Sequence, residues 1–172
     1  MLDIAHTNGR WIAASGGLEG LPYSDNSLYW KAHPQFSAER APYLCDLELH
    51  DGLFIASGQD RIILQSSDGN NWQALSHPNT GTSNGLLEAI HYSNGTWAAV
   101  GTAGTIIYSE DGATWNKATT GGEEPLKTIH FAHRIWVAAG DGVSLYWSNN
   151  PKDWTLGFFP IETEIIAPSL DT

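Results

Sequence analysis

The stretch Ile106-Ile107-Tyr108-Ser109-Glu110-Asp111-Gly112-Ala113-Thr114-Trp115 decides how the chain is read, because near copies of it stand before and after. The segment upstream of it repeats as well. Ile4-Ala5-His6-Thr7-Asn8-Gly9-Arg10-Trp11-Ile12-Ala13 returns as Leu47-Glu48-Leu49-His50-Asp51-Gly52-Leu53-Phe54-Ile55-Ala56 and as Ile90-His91-Tyr92-Ser93-Asn94-Gly95-Thr96-Trp97-Ala98-Ala99. A fourth copy runs Ile129-His130-Phe131-Ala132-His133-Arg134-Ile135-Trp136-Val137-Ala138. Gly9, Gly52 and Gly95 are spaced 43 apart, and Arg134 takes the same place 39 residues later. Self-similarity at a fixed period of this size marks a repeat architecture. Four such units consume essentially all 172 residues.

Each unit reads as four short strands. The first alternates apolar and polar residues and breaks at Asn-Gly or Asp-Gly, a tight-hairpin signal because that turn needs positive φ. In the fourth unit His133-Arg134 replaces the pair, which predicts a turn of another type. The second strand carries Trp11, Phe54, Trp97 or Trp136 and ends near Ser15-Gly16, Gly58, Gly101 or Gly140. The third ends at Ser24, Ser66, Ser109 or Ser148, and the fourth is expected to begin just before Trp30, Trp72, Trp115 or Trp154. No stretch carries an amphipathic helical period. The expectation is all-β: a β-propeller of four four-stranded antiparallel blades, closed as a four-blade ring or forming part of a larger ring by oligomerisation. Blade boundaries fall at about 1–40, 41–82, 83–125 and 126–156, with 157–172 as a tail or arm. Seven of the eight Trp occupy the two repeated aromatic positions and the eighth, Trp147, precedes Ser148, a pattern of packing between blades.

Ser66-Ser67-Asp68-Gly69-Asn70-Asn71-Trp72 and Ser109-Glu110-Asp111-Gly112-Ala113-Thr114-Trp115 resemble the Asp-box, or BNR, repeat of sialidase-like propellers. In that family the motif is a turn between the third and fourth strands of a blade, on the rim opposite the usual ligand face. The chemistry is local: a carboxylate accepts turn N–H groups, Gly takes positive φ and Trp covers the turn. The residues implied are Ser66, Asp68, Gly69, Trp72, Ser109, Asp111, Gly112 and Trp115. Both boxes are one residue shorter than the usual spacing. The first and fourth units are degraded, with Asn26-Ser27 and Asn150-Pro151 where Asp and Gly are expected. Repeats of this kind in phage and bacterial surface proteins are the most similar.

A net charge of −11 with eight scattered Lys and Arg excludes a general nucleic-acid or anionic-membrane binder. The lone Cys45 permits no intrachain disulfide, and Leu44 and Leu47 beside it predict a buried, inert thiol. Neither a basic start with an apolar run nor a span of transmembrane length is present, so a soluble chain, cytoplasmic or part of a virion, is expected. The sialidase resemblance implies an arginine triad, yet the chain has only Arg10, Arg40, Arg61 and Arg134, and Arg10 and Arg134 fall at the hairpin-turn rim. An enzyme is not expected, and no cofactor is implied.

Equivalent positions Ala5, Glu48, His91 and His130 on the first strands approach the axis of a propeller, making Glu48, His91 and His130 a candidate metal or titrating cluster against the alternative of inter-strand packing. The loops that do not repeat define the candidate partner face: Glu19, Arg40, Asp60, Arg61, Glu123, Glu124 and Asp141. The function expected is a non-enzymatic binding or structural propeller making protein–protein or surface contacts, with a phage virion component as the setting the resemblance implies. A lectin-like carbohydrate-binding module and a degenerate glycosidase are the alternatives. Partners are a protein or a second copy of the chain, including two chains forming an eight-bladed ring, with a glycan as the alternative. The tail, with Phe158-Phe159 and Ile161-Glu162-Thr163-Glu164-Ile165-Ile166, is read as an assembly arm, a sealing strand or disordered.

Overall fold

A computed structural model describes residues 3–7, 9–16, 20–36, 41–78, 84–120, 122–142 and 144–157. All its regular elements are strands. The first sheet is β1 (Asp3–Thr7), β2 (Arg10–Ala14) and β3 (Tyr23–Ser24) in that order. Lys31 bridges Tyr23 in the place of a fourth strand. The second sheet is β4 (Leu44–His50), β5 (Leu53–Gly58), β6 (Ile63–Ser66) and β7 (Gln73–Ala74). The third is β8 (Leu87–Ser93), β9 (Thr96–Gly101), β10 (Thr105–Ser109) and β11 (Asn116–Lys117). The fourth is β12 (Leu126–Ala132), β13 (Ile135–Gly140), β14 (Leu145–Ser148) and β15 (Thr155–Leu156). Every pairing is antiparallel between strands consecutive in sequence, so each blade is a meander.

The first strands are innermost. β1 packs on β4, β4 on β8 and β8 on β12, whereas β1 and β12 do not pack on one another as these neighbours do. Among the described residues the four blades therefore form an arc of a β-propeller, with no described strand seated behind blade 1 or in front of blade 4. Each blade has a front face, turned to the next blade, and a rear face, turned to the one before. Three separate cores fill the three junctions. Ala5, Ile12 and Ala14 of blade 1 meet Leu47, Phe54, Leu64 and Trp72 of blade 2. Ile55 and Ile63 meet Ile90, Trp97, Ile107 and Trp115. Ala98, Val100 and Ile106 meet Ile129, Trp136, Tyr146 and Trp154. Small or β-branched residues supply the front face and aromatics the rear, which lets neighbouring sheets approach and interdigitate. Removing one fully buried aromatic such as Trp136, 1 % exposed, would cost about 3–5 kcal/mol.

The turns between third and fourth strands are held from within. Asp111 Oδ1 accepts from Ala113 N at 2.9 Å, Thr114 N at 2.6 Å and Ser109 Oγ at 2.9 Å. Asp68 Oδ1 takes Asn70 N and Asn71 N, both at 2.8 Å, and Ser66 Oγ at 3.0 Å. These backbone donors hold both carboxyls well below the usual carboxylate range. Gly112, at φ 73°, lies so near blade 2 that a Cβ would stand 2.8 Å from Leu53 Cδ2. Trp115 Nε1 donates to Gly112 O at 3.2 Å, and Trp72 Nε1 to Gly69 O at 3.3 Å. That bond keeps each Trp inside its turn, so the fourth strands begin after the Trp and not before it: β7 at Gln73, β11 at Asn116, β15 at Thr155. In the degraded first unit Asn26 Oδ1 takes over the carboxylate's part, accepting from Leu28 N and Tyr29 N, each at 3.0 Å.

The fourth hairpin corrects a second expectation. His133 and Arg134 have φ of 50° and 66°, the same backbone as Asp51-Gly52 (46°, 78°) and Asn94-Gly95 (50°, 78°). The twist of the flanking strands selects this two-residue turn whatever the residues in it. Arg134 thus carries a conformational cost that Gly does not. Arg134→Gly should raise the unfolding free energy by about 0.5–1 kcal/mol. Chemical denaturation of the two proteins checks it, and an unchanged or lower midpoint would mean that Arg134 makes a compensating contact.

Candidate functional site

The loops that vary between blades lie on one rim, and backbone hydrogen bonds tie them together there. Each turn between second and third strands reaches the segment leading into the next blade: Arg61 N donates to Gly85 O at 3.1 Å, and Gly104 N to Glu124 O at 3.1 Å. The same turns also bond the segment leading into their own blade, through Gln59 N to Tyr43 O (2.8 Å), Thr102 N to Leu86 O (3.0 Å) and Asp141 N to Pro125 O (3.0 Å). The aspartate turns occupy the opposite rim, where Arg10 Nε bonds Asp25 Oδ1 at 2.9 Å and its Nη1 bonds Asn70 Oδ1.

On the loop rim a concavity of about 720 Å³ opens between Arg61 of blade 2 and the loops of blade 3. Its polar lining includes Arg61, Lys117, Thr119, Thr120 and Glu123. Arg61 is the unusual member. Its register position, three residues after Gly58 at the end of β5, is held by Gly104, three residues after Gly101, in blade 3, and both have positive φ (54° and 59°). An arginine held where a sister repeat uses glycine stores backbone strain, and such strain concentrates at functional sites. The residue is only 8 % exposed. Its Nη2 donates to Thr102 Oγ1 at a long 3.4 Å and its Nε has no partner. Among the described residues no carboxylate pairs with it. A guanidinium is always charged, so it is buried here with its charge uncompensated by the surrounding side chains.

The neighbours fix this arrangement. His77 Nε2 lies 2.6 Å from Arg61 O. Burial holds the His77 pKa below its ordinary value, so the ring is neutral and this nitrogen is the N–H donor. Gly85 lies under the guanidinium, where a Cβ would stand 2.4 Å from Arg61 Cζ. Gly85 therefore permits the Arg61 rotamer by having no side chain.

Of the other residues expected on this face, Glu123 lines the concavity and Asp60 is exposed beside Arg61, its Oδ1 accepting from Asn84 N at 3.3 Å. Glu124 and Asp141 are exposed and contribute main-chain atoms to the loop ties. Glu19 and Arg40 lie outside the described residues, as does the tail beyond Gly157. Cys45 is half-buried, and burial with Glu88 and Asp46 nearby pushes its thiol up to about 11, so it is a poor nucleophile.

Around the axis, equivalent inner-strand side chains meet across junctions. Glu48 Oε2 accepts from Tyr92 N at 2.9 Å and lies 3.3 Å from His91 Nδ1, while the His91 and His130 rings stand 5.0 Å apart at 31°. Among the described residues no three His, Cys, Asp or Glu side chains gather as a metal-ligand set. Asp46 repeats the Glu48 arrangement one pleat along: its Oδ2 accepts from Ile90 N at 2.7 Å. Sequence reading missed Asp46, because its burial arises only when β4 packs beside β8. That burial, reinforced by Asp3, raises the Asp46 carboxyl well above the usual carboxylate range.

No family model and no curated protein matches this sequence. Solved structures do. YCF48 bound to D1 peptide is similar with a TM-score of 0.63 at 14 % identity, over 87 % of this chain and 51 % of that one. YCF48 from Cyanidioschyzon merolae gives 0.64 at 14 %, over 90 % and 55 %. The computationally designed Ika8 protein gives 0.61 at 12 %, over 90 % and 47 %. The chain thus has a β-propeller fold and spans about half the length of the propellers it matches. Among the described residues no helix is long and apolar enough to cross a membrane.

Asp46 supplies a test of the axis. An acid whose folded pKa is raised is most favourable to folding below its unfolded value, about 4, and loses that contribution as pH rises towards its folded value. Stability of the wild type relative to Asp46→Asn should therefore fall as pH rises from about 4 to neutrality. Urea unfolding of both proteins at several pH values reads this directly. A difference that grows in the wild type's favour would show Asp46 to be a stabilising charged group.

Proposed function

We propose that this chain is a non-enzymatic binding propeller that takes a segment of a protein partner on its loop rim, with Arg61 receiving an acidic group of that segment. The observation that carries this reading is the buried Arg61 guanidinium, strained in its backbone, without a carboxylate partner and facing an open concavity. A ligand carboxylate would supply the missing countercharge in a partly desolvated place, where charge-assisted, bidentate bonds are strongest. The net charge of −11 repels acidic partners at long range. Recognition then depends on close contact and not on steering. The YCF48 structure carrying a D1 peptide supports the suitability of this fold for peptide capture.

The concavity is lined by a single carboxylate, Glu123, among the described residues. Two-carboxylate glycosidase chemistry needs a facing pair, which favours binding over hydrolysis. The setting we favour is a component of a virion or other surface assembly. Its support is the resemblance of the Tyr108–Trp115 repeat to those of phage and bacterial surface proteins.

An array of acidic and neutral peptides tests the reading. Selective binding of acidic peptides should weaken roughly tenfold or more, about 1.4 kcal/mol, in Arg61→Gln with the melting temperature retained. Binding indifferent to Arg61→Gln would contradict the site. Selective retention on a glycan array that is lost with Arg61→Gln would move the assignment to the lectin reading.

A further inference from the structure

The two ends of the arc expose the residues that every internal junction buries. At the rear face, Leu47, Ile90 and Ile129 are 2 %, 4 % and 6 % exposed, whereas Ile4, their equivalent in blade 1, is 42 % exposed. Equivalence follows from register: each pairs with an alanine of the second strand, Ala56, Ala99, Ala138 and Ala13. Phe54, Trp97 and Trp136 are buried, but Trp11 is only half-buried, and His6, its ring tilted against the indole at 4.4 Å, is exposed. Trp30 is likewise half-buried where Trp72, Trp115 and Trp154 are buried.

The front face shows the converse. Ile12, Ile55 and Ala98 are all 0 % exposed, and Val137, at their position in blade 4, is 38 % exposed. Beside it on the same face stand Ile135 at 40 % and Trp147 at 44 %, with Leu145 half-buried. Val137 and Trp147 are direct cross-strand partners, so these residues form one continuous apolar surface. Blade 4 thus presents an unfilled front face and blade 1 an unfilled rear face, the two surfaces that meet at each of the three internal junctions.

We infer that a second copy of this chain fills both: the rear face of its blade 1 packs on the front face of blade 4 of the first, and the reciprocal contact closes the other side, giving eight blades about one axis. Front-to-rear contacts are head-to-tail, and such contacts close into a ring only when the rotation per subunit divides the circle. The chain aligns with 51 %, 55 % and 47 % of the length of three similar propeller chains, a proportion that agrees with closure at two copies. Polar positions agree with this geometry. Asp46 and Glu48 of blade 2 accept the N–H groups of Ile90 and Tyr92 in blade 3. Their blade 4 equivalents, Thr128 and His130, are exposed at the front face, placed to accept the corresponding N–H groups of Ile4 and His6 in the other copy.

Native mass spectrometry with sedimentation velocity of the 172-residue chain tests this. Wild type should run as two chains. Val137→Glu and Ile4→Glu, on opposite ends of the arc, should each give single chains. Because both side chains are exposed in the isolated arc, the β circular-dichroism spectrum should persist in both variants. Asn94→Glu, which adds the same charge on an exposed hairpin away from both faces, should leave two chains. A wild type that stays single overturns the inference. So does a two-chain species insensitive to Ile4→Glu, which would mean front-to-front pairing, and so does an open series of larger species, which would mean a head-to-tail contact that does not close.

Discussion

The contact on which the structure depends is the seating of one blade's aromatic row in the small, branched row of the blade before it. Phe54 and Trp72 against Ile12 and Ala14, Trp97 and Trp115 against Ile55 and Ile63, and Trp136 and Trp154 against Ala98 and Val100 are the same interaction made three times. Within a blade the ladders fix strand direction and register, but a lone four-stranded sheet has no interior. The apolar area that opposes chain entropy is therefore buried between blades. The aspartate turns serve the same contact: Gly112 approaches Leu53 closely because Asp111 and Ser109 gather the turn's backbone donors around themselves. A repeat protein of this kind leaves a cost at each end, because among the described residues no further blade seats against the first rear face or the last front face.

The loop rim follows a different rule. Its backbone ties are repeated from blade to blade, yet the side chains they present are not. Arg61 stands where blade 3 has Gly104, with Gly85 and His77 arranged around it to hold a charged group in a place that sterics and desolvation both disfavour. The scaffold supplies rigidity, and the departure from the repeat supplies chemistry. The axis lies between these extremes: Asp46 and Glu48 stitch blade 2 to blade 3 through main-chain N–H groups, and the rings of His91 and His130 meet tilted, 5.0 Å apart.

Much of the architecture could be read from the chain because it is repeated. A hairpin signal at Asn94-Gly95 that recurs at Asp51-Gly52 locates strands twice over, and the Trp spacing announces packing before any sheet is seen. The reading failed where tertiary geometry overrides local preference: strand twist imposes on His133-Arg134 the turn that Asn-Gly favours, and an indole bond holds Trp72 and Trp115 out of the fourth strands. Arg61 was legible as a loop charge but not as a buried one, since its burial needs Gly85 from the following blade's approach. Whether four blades close was not legible at all. The repeat pattern gives each blade a front and a rear, but the angle between blades comes from side-chain volumes packed at three junctions together.

That angle is also the most direct point of test. A crystal structure of the assembled protein would show how many blades surround the axis and what lies against β12 and β13. Eight blades, with Val137 and Trp147 of one copy covered by Ile4 and Trp11 of the other, is the predicted result. A ring of four blades, with β12 packed on β1 of the same chain, would contradict it.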